Sequence, residues 1–256
     1  MKVMIQYKWG FMLSLLIDPI IVLINISLFT SIYTFNQTNA IAGYDLAQMI
    51  WYFAGTNFIW YFTYNHVDHI MSDGILSGDL ATFLLKPASV FSMLLGDSVA
   101  LRTAGVLFEF VPSMILYSLL CTPTFMTVFS FGRFLICIVL SFFMMVFINF
   151  LVGLSAFVFK NNFSVRNLKD IVVCLLGGAY FPLDFYPEVI RQILDYLPFK
   201  YVFYVPLQLL INREGGASLS EFARLIGIQV IWILLLWLVC KWLWNRAIKH
   251  FCAVGG

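Results

Sequence analysis

Polar positions in this chain punctuate long apolar runs. Crossing a bilayer takes about 20 mostly apolar residues, and six stretches approach that: roughly 11–35, 47–69, 103–122, 132–159, 167–183 and 222–245. The fifth is the shortest and carries Gly177-Gly178 near one end. The pattern predicts an all-α polytopic membrane protein with about six transmembrane helices. No tandem repeat or low-complexity linker divides the chain, so residues 1–256 read as a single membrane domain. Two intervals are long, 70–102 and 181–221, and specialised structure is expected there.

Composition agrees with this reading. The chain is 62% hydrophobic and only 11% charged, against about 25% charged in a soluble domain. A net charge of +2 gives no basis for nucleic-acid binding. The five cysteines (Cys121, Cys137, Cys174, Cys240 and Cys252) are scattered without a CxxC, so they read as small hydrophobes, not a disulfide framework or zinc site. Lys2 and Lys8 before the first run resemble a signal-peptide start. The run continues too far for one, with no convincing cleavage site, and reads as a retained span.

The distribution of Lys and Arg sets the expected orientation. Six spans put the N-terminus, 70–102, 160–169 and the C-terminal tail on one side with ten basic residues, against five on the other. Both termini and the 70–102 interval are therefore expected in the cytoplasm. Trp51, Tyr52, Trp60, Tyr61, Tyr64, Trp242 and Trp244 fall near run ends, as interfacial belts or as packing between helices.

Within the first long interval, ILSGDLATFLLKP (75–87) is amphipathic and too short to cross. Ser72 or Asp73 can cap a helix start, Gly78 permits a turn, and Pro87 stops what precedes it. Leu80, Phe83 and Leu84 recur at i, i+3, i+4 on one face about two turns long. Such a piece either lies on the membrane surface or fits a groove in a cytosolic partner. In the second interval, Val189, Ile190, Ile193, Leu194 and Leu197 form an apolar face opposite Arg191, Gln192 and Asp195. Pro187 opens that helix, Pro198 ends it, and Pro206 interrupts the next apolar piece. Short helices on or dipping into the outer leaflet are expected.

Three motifs, in order along the chain, resemble the ATP-binding-cassette (ABC) type-2 exporter permeases. Gly43-Tyr44-Asp45…Tyr52-Phe53 is similar to the family's entry to its second span, where Gly43 gives the turn and Asp45 can cap the helix that follows. Gly78-Asp79-Leu80…Leu84-Leu85-Lys86-Pro87 is similar to its G-(D/E)-L-x-x-x-L-L-(K/R)-P signature. Tyr186-Pro187…Arg191…Leu194…Leu197-Pro198-Phe199…Pro206 is similar to the segment before its last span. The resemblance implies the type V exporter fold, with a cytoplasmic coupling helix between spans 2 and 3 and outer re-entrant helices before span 6. It assigns ATPase coupling to Gly78, Asp79, Leu80, Phe83, Leu84, Leu85, Lys86 and Pro87. It assigns the outer re-entrant segment to Pro187, Arg191, Pro198, Phe199 and Pro206. Two such permeases, identical or paralogous, would pair in the membrane with two cytosolic ATPase subunits. The setting implied is a bacterial cytoplasmic membrane.

Asp18, Asn25, Asn57, Glu109 and Asn149 sit within apolar runs and should face protein or water. Asn25, Thr56 and Asn57 are candidates for a substrate path; hydrogen bonds between helices are the alternative. His66, His69 and Asp73 share a helix face, but no second cluster of ligands completes a metal site, and none is expected. The chain has no GxxxxGK[ST], GxSxG or HExxH motif. It is therefore expected to bind no cofactor and catalyse no reaction itself, leaving ATP and Mg to the partner ATPase. An ion-coupled carrier or channel, or an intramembrane enzyme, would be the competing classes.

Overall fold

The computed structural model describes residues 8–159, 162–213 and 218–250, with backbone alone for 8–18 and His250. Lys2, Lys160, Glu214 and Cys252 lie outside the described residues. The described residues are helical throughout, apart from turns and one isolated bridge between Ile41 and Tyr44. Three helical stretches, 90–120, 128–157 and 219–247, are long and apolar enough to cross a membrane, and a shorter apolar helix covers Pro19–Phe35. The chain is an integral membrane protein.

The first helix, α1 (Lys8–Phe35), contains Pro19. It leads into a loop in which Gly43, at φ +81°, makes the expected turn. Asp45 then caps α2 (Leu46–Thr63): its side chain accepts the Gln48 amide proton while Gln48 reaches back to the Asp45 N–H.

The expected second span, 47–69, is broken. The backbone turns extended at Tyr64, and α3 (Val67–Ser77) starts after His66. Ser72 and Asp73 therefore lie inside α3 and cap nothing. Gly78, in the left-handed region at φ +86°, ends α3 and swings the chain into the single turn α4 (Leu80–Leu84). The two-turn amphipath expected from the spacing is thus one turn long.

The third expected span is also redrawn. After Pro87, the Ser89 side chain accepts the Ser92 amide proton and starts α5 (Val90–Gly105), well before residue 103. A π turn over Val106–Phe110 joins α5 to α6 (Val111–Leu120). The π turn comes just before Pro112, which has no N–H for the Phe108 carbonyl and whose ring crowds it; a wider turn relieves both problems.

The most buried long helix is α7 (Val128–Leu154), continued by a short 3-10 turn to Phe157. It forms the axis on which the other helices pack. Next, α8 (Phe163–Gly177) has 15 residues, about 22 Å at 1.5 Å per residue, so the fifth expected span is shorter than 167–183. A cap of short pieces follows: a 3-10 turn at Leu183–Phe185, α9 (Glu188–Asp195), another 3-10 turn at Phe199–Tyr201, and α10 (Tyr204–Leu210). Pro206 sits in the first turn of α10 without breaking it, because amide protons there have no helical partner to lose. The last helix, α11 (Leu219–Ala247), begins with a Ser218–Glu221 capping box.

Trp51 and Tyr52 are fully buried. Trp51 donates to the Cys121 carbonyl at 2.8 Å and Tyr52 to the Gly178 carbonyl at 2.7 Å. They pack between helices instead of forming a belt. Trp242, by contrast, is 58% exposed. In the core, buried Gln229 of α11 donates to the Cys137 carbonyl of α7 and to the Tyr201 carbonyl, both at 3.1 Å.

Candidate functional site: two polar knots and an exposed turn

The bundle has two polar ends. The cap end holds the loop before α2, the short pieces at 183–210, and the start of α11. The hinge end holds the Tyr64–His66 break, α3, α4 and the start of α8.

At the hinge end, Lys169 of α8 is almost buried. Its Nζ lies 3.0 Å from Asp68 Oδ2 of α3, 2.8 Å from Asn149 Oδ1 of α7 and 2.7 Å from Asp170 Oδ1. Asn149 Nδ2 in turn donates to Asn65 Oδ1 at 2.9 Å, and the same oxygen accepts the Val67 amide proton. The break between α2 and α3 is therefore held from two neighbouring helices. Close packing adds to the hold: a Cβ on Gly153 of α7 would lie 2.7 Å from Met71 Cβ of α3, so only glycine permits this approach. His66 and His69 stand edge to face at 5.9 Å beside a cavity of about 60 Å³. Asp68 belongs to Lys169, and Asp73 is 3.5 Å from Arg166.

The signature residues follow directly. Leu80 is 1% exposed and faces the protein's own core. Phe83 lies over Gly74, with Lys86 Nζ 4.9 Å from its ring centre. Asp79 accepts from the Ser77 hydroxyl at 2.8 Å, closing the turn after Gly78. Leu84 and Leu85 point away, 42% and 87% exposed. The turn is thus rooted by Leu80 and Phe83 and presents Leu84-Leu85 before Pro87.

At the cap end, Asp184 collects the donors. Tyr44 Oη and Tyr204 Oη both donate to Oδ2, the latter at 3.0 Å, and Arg213 Nη1 pairs with it at 2.9 Å. Arg213 also donates to the Ala42 carbonyl at 2.9 Å and lies 4.2 Å over the Tyr44 ring. Gln208 donates to Tyr44 Oη at 2.6 Å. Burial first, and the Asp184 carboxylate second, push the Tyr44 phenol far up; Tyr204 rises for the same reasons. Both hydroxyls stay protonated and serve as donors.

Of the substrate-path candidates, Asn25 Nδ2 donates to Tyr117 Oη at 3.3 Å and Thr56 Oγ1 to the Tyr52 carbonyl of its own helix at 3.1 Å. Asn57 is half-buried on α2. Pro187, Pro198 and Phe199 frame α9, Pro206 lies buried in α10, and Arg191 reaches to 3.9 Å from Asp184.

A family model described as "ABC-2 family transporter protein" matches residues 21–255. The chain belongs to that family. No curated protein and no solved structure matches it. As an ABC-2 family membrane transporter domain, the chain is a permease, and the family's membrane subunits work in transport beside ATP-binding subunits. Sequence reasoning located the turn at Gly78. It missed Lys169, Arg213 and Gln229 as organising residues. The signal available was a charge or amide inside an otherwise apolar helix, as with Gln229 in α11.

Proposed function

We propose that the chain is the permease half of an ABC exporter, moving substrate outward on ATP and Mg held by a separate cytosolic ATPase. In this reading six passes cross the membrane, the hinge end and both termini are cytoplasmic, and the cap end faces outward. Residues 78–87 are the coupling helix, pairing each permease of a dimer with one ATPase subunit. The single observation that carries the reading is the pair of exposed leucines, Leu84 and Leu85, on a turn whose root is buried. An exposed apolar knob on a firm root suits a groove on a partner. The root continues into α3, which Asp68–Lys169 and the Gly153 contact tie to α7 and α8. Force applied at the knob would thus reach three helices. A ligand-driven change needs contacts that differ between the two states, and the α2–α3 break is where such a difference would be made.

The test is Leu84→Asp. It should abolish copurification of the ATPase while leaving membrane insertion unchanged. Normal copurification of the ATPase with the variant would overturn the assignment. Transport that persists with no ATPase present would instead favour an ion-coupled carrier.

A further inference from the structure

The cap end carries an open cleft of about 660 Å³ between the 184–213 segment and the start of α11. That volume falls within the range of small-molecule sites, about 300–1,000 Å³. Four cations line it, Arg191, Lys200, Arg213 and Arg224, against two carboxylates, Asp184 and Glu221. The structure shows which of these charges are already engaged. Arg213 is held by Asp184, the Ala42 carbonyl and the Tyr44 ring. Lys200 is paired with Asp195 at 2.6 Å. Glu221 is turned to its own helix start, accepting from the Ser218 amide at 2.8 Å.

Two guanidinium groups keep spare donors. Arg191 on α9 is about half exposed and only 3.9 Å from Asp184 at its nearest. Arg224 on α11 is exposed and, among the described residues, makes no ion pair. They approach one space from two elements, and planar guanidinium forks match phosphate and carboxylate oxygens two at a time. The cleft also has an apolar wall in Val205, Leu209 and Leu225. Beside it, α9 exposes Val189 and Ile193, at 71% and 59%, with Arg191 on its other face. A helix of that kind lies at a boundary between apolar and polar phases. The ligand that matches all of this is charged at one end and apolar at the other.

We infer that this cleft binds the anionic head group of an amphiphile, a phosphate or carboxylate, between Arg191 and Arg224, with its chain along Val205, Leu209 and Leu225. The inference extends the transport reading by naming a substrate class. It concerns binding to the permease alone, so it can fail or hold whatever becomes of the ATPase assignment.

The test is native mass spectrometry of the purified permease titrated with phosphatidylglycerol or phosphatidylcholine, with and without millimolar inorganic phosphate. The double variant R191Q/R224Q and the control R246Q, in the last turn of α11 at the end away from the cleft, are compared with the parent. Phosphatidylglycerol should bind about tenfold more tightly than phosphatidylcholine, which has the same phosphate but adds a choline cation that the four basic residues of the cleft repel. The double variant should bring that ratio close to one, and R246Q should leave it unchanged. Persistence of the preference in phosphate would support an amphiphile as the source of the anion. Competition by phosphate would support the same site filled by a soluble anion. Equal binding of the two lipids by the parent, an unchanged ratio in the double variant, or an equal loss in R246Q would each overturn the inference.

Discussion

Each end of the permease is organised around one charged residue, but the two residues sit in different company. Asp184 at the cap end is surrounded by phenols and a guanidinium from the pre-α2 loop, α10 and residue 213. It gathers irregular chain that has few backbone partners of its own. Lys169 at the hinge end is surrounded by side chains from three regular helices, α3, α7 and its own α8, next to the break that separates α3 from α2. The first residue fixes loops to one another; the second fixes a lever to its support. Removing a charge should therefore loosen a surface at one end and free a moving part at the other.

The largest effect is expected at the hinge. Lys169→Met would leave Asp68, with its side chain 2% exposed, as a buried carboxylate without its cation. Breaking such a pair on one side costs about 3–5 kcal/mol. Thermal unfolding of the purified protein should fall accordingly, and Lys169→Met/Asp68→Asn should recover much of the loss. A single variant as stable as the parent would show that the pair holds nothing. At the cap, Asp184→Asn keeps the shape and removes the charge. Arg213 loses its ion pair while retaining the Ala42 carbonyl and the Tyr44 ring, so a smaller cost of about 1.5–3 kcal/mol is expected. Limited proteolysis should find faster cleavage within 181–213 than in the parent. Unchanged cleavage there would mean that the cap is held by packing alone.

The contrast also explains what the sequence could reveal. The start of α2 was legible because its capping box is local, Asp45 with Gln48. The turn at Gly78 was legible because it belongs to one short motif, but the spacing that put Leu80, Phe83 and Leu84 on one face did not show that Leu80 turns inward, 1% exposed, while Leu84 and Leu85 turn out. The break at Tyr64–His66 was not, because distant residues hold it: Arg102 donates to the Tyr61 carbonyl at 3.3 Å, and Asn149 reaches Asn65. Asp68 and Lys169 are 101 positions apart, and no pattern within either helix announces the partner. The early start of the third helix was hidden differently. The span reads as starting at residue 103, after the long interval 70–102, whereas the Ser89 cap and the Leu94 side chain, 5% exposed, build 90–102 into the same helix. Local chemistry was readable; support across helices was not.

The smallest effect separates the two components of the cap knot. Tyr44 and Tyr204 owe their raised pKa values first to burial and then to the Asp184 carboxylate. An unfolded tyrosine ionises near pH 10. A folded pKa above that value favours the protonated form, so the stabilisation is fully present below about pH 10 and is lost as pH rises further. Phenolate absorbance in an alkaline titration should therefore show these two rings silent until the protein unfolds. Asp184→Asn takes away the charge but not the burial, so both rings should ionise earlier than in the parent and still later than an exposed tyrosine. If the variant's curve overlays the parent's, burial alone protects the phenols and the carboxylate is incidental to the knot. If the two rings titrate near pH 10 in the parent, the cap is open to water and the comparison between the two ends fails.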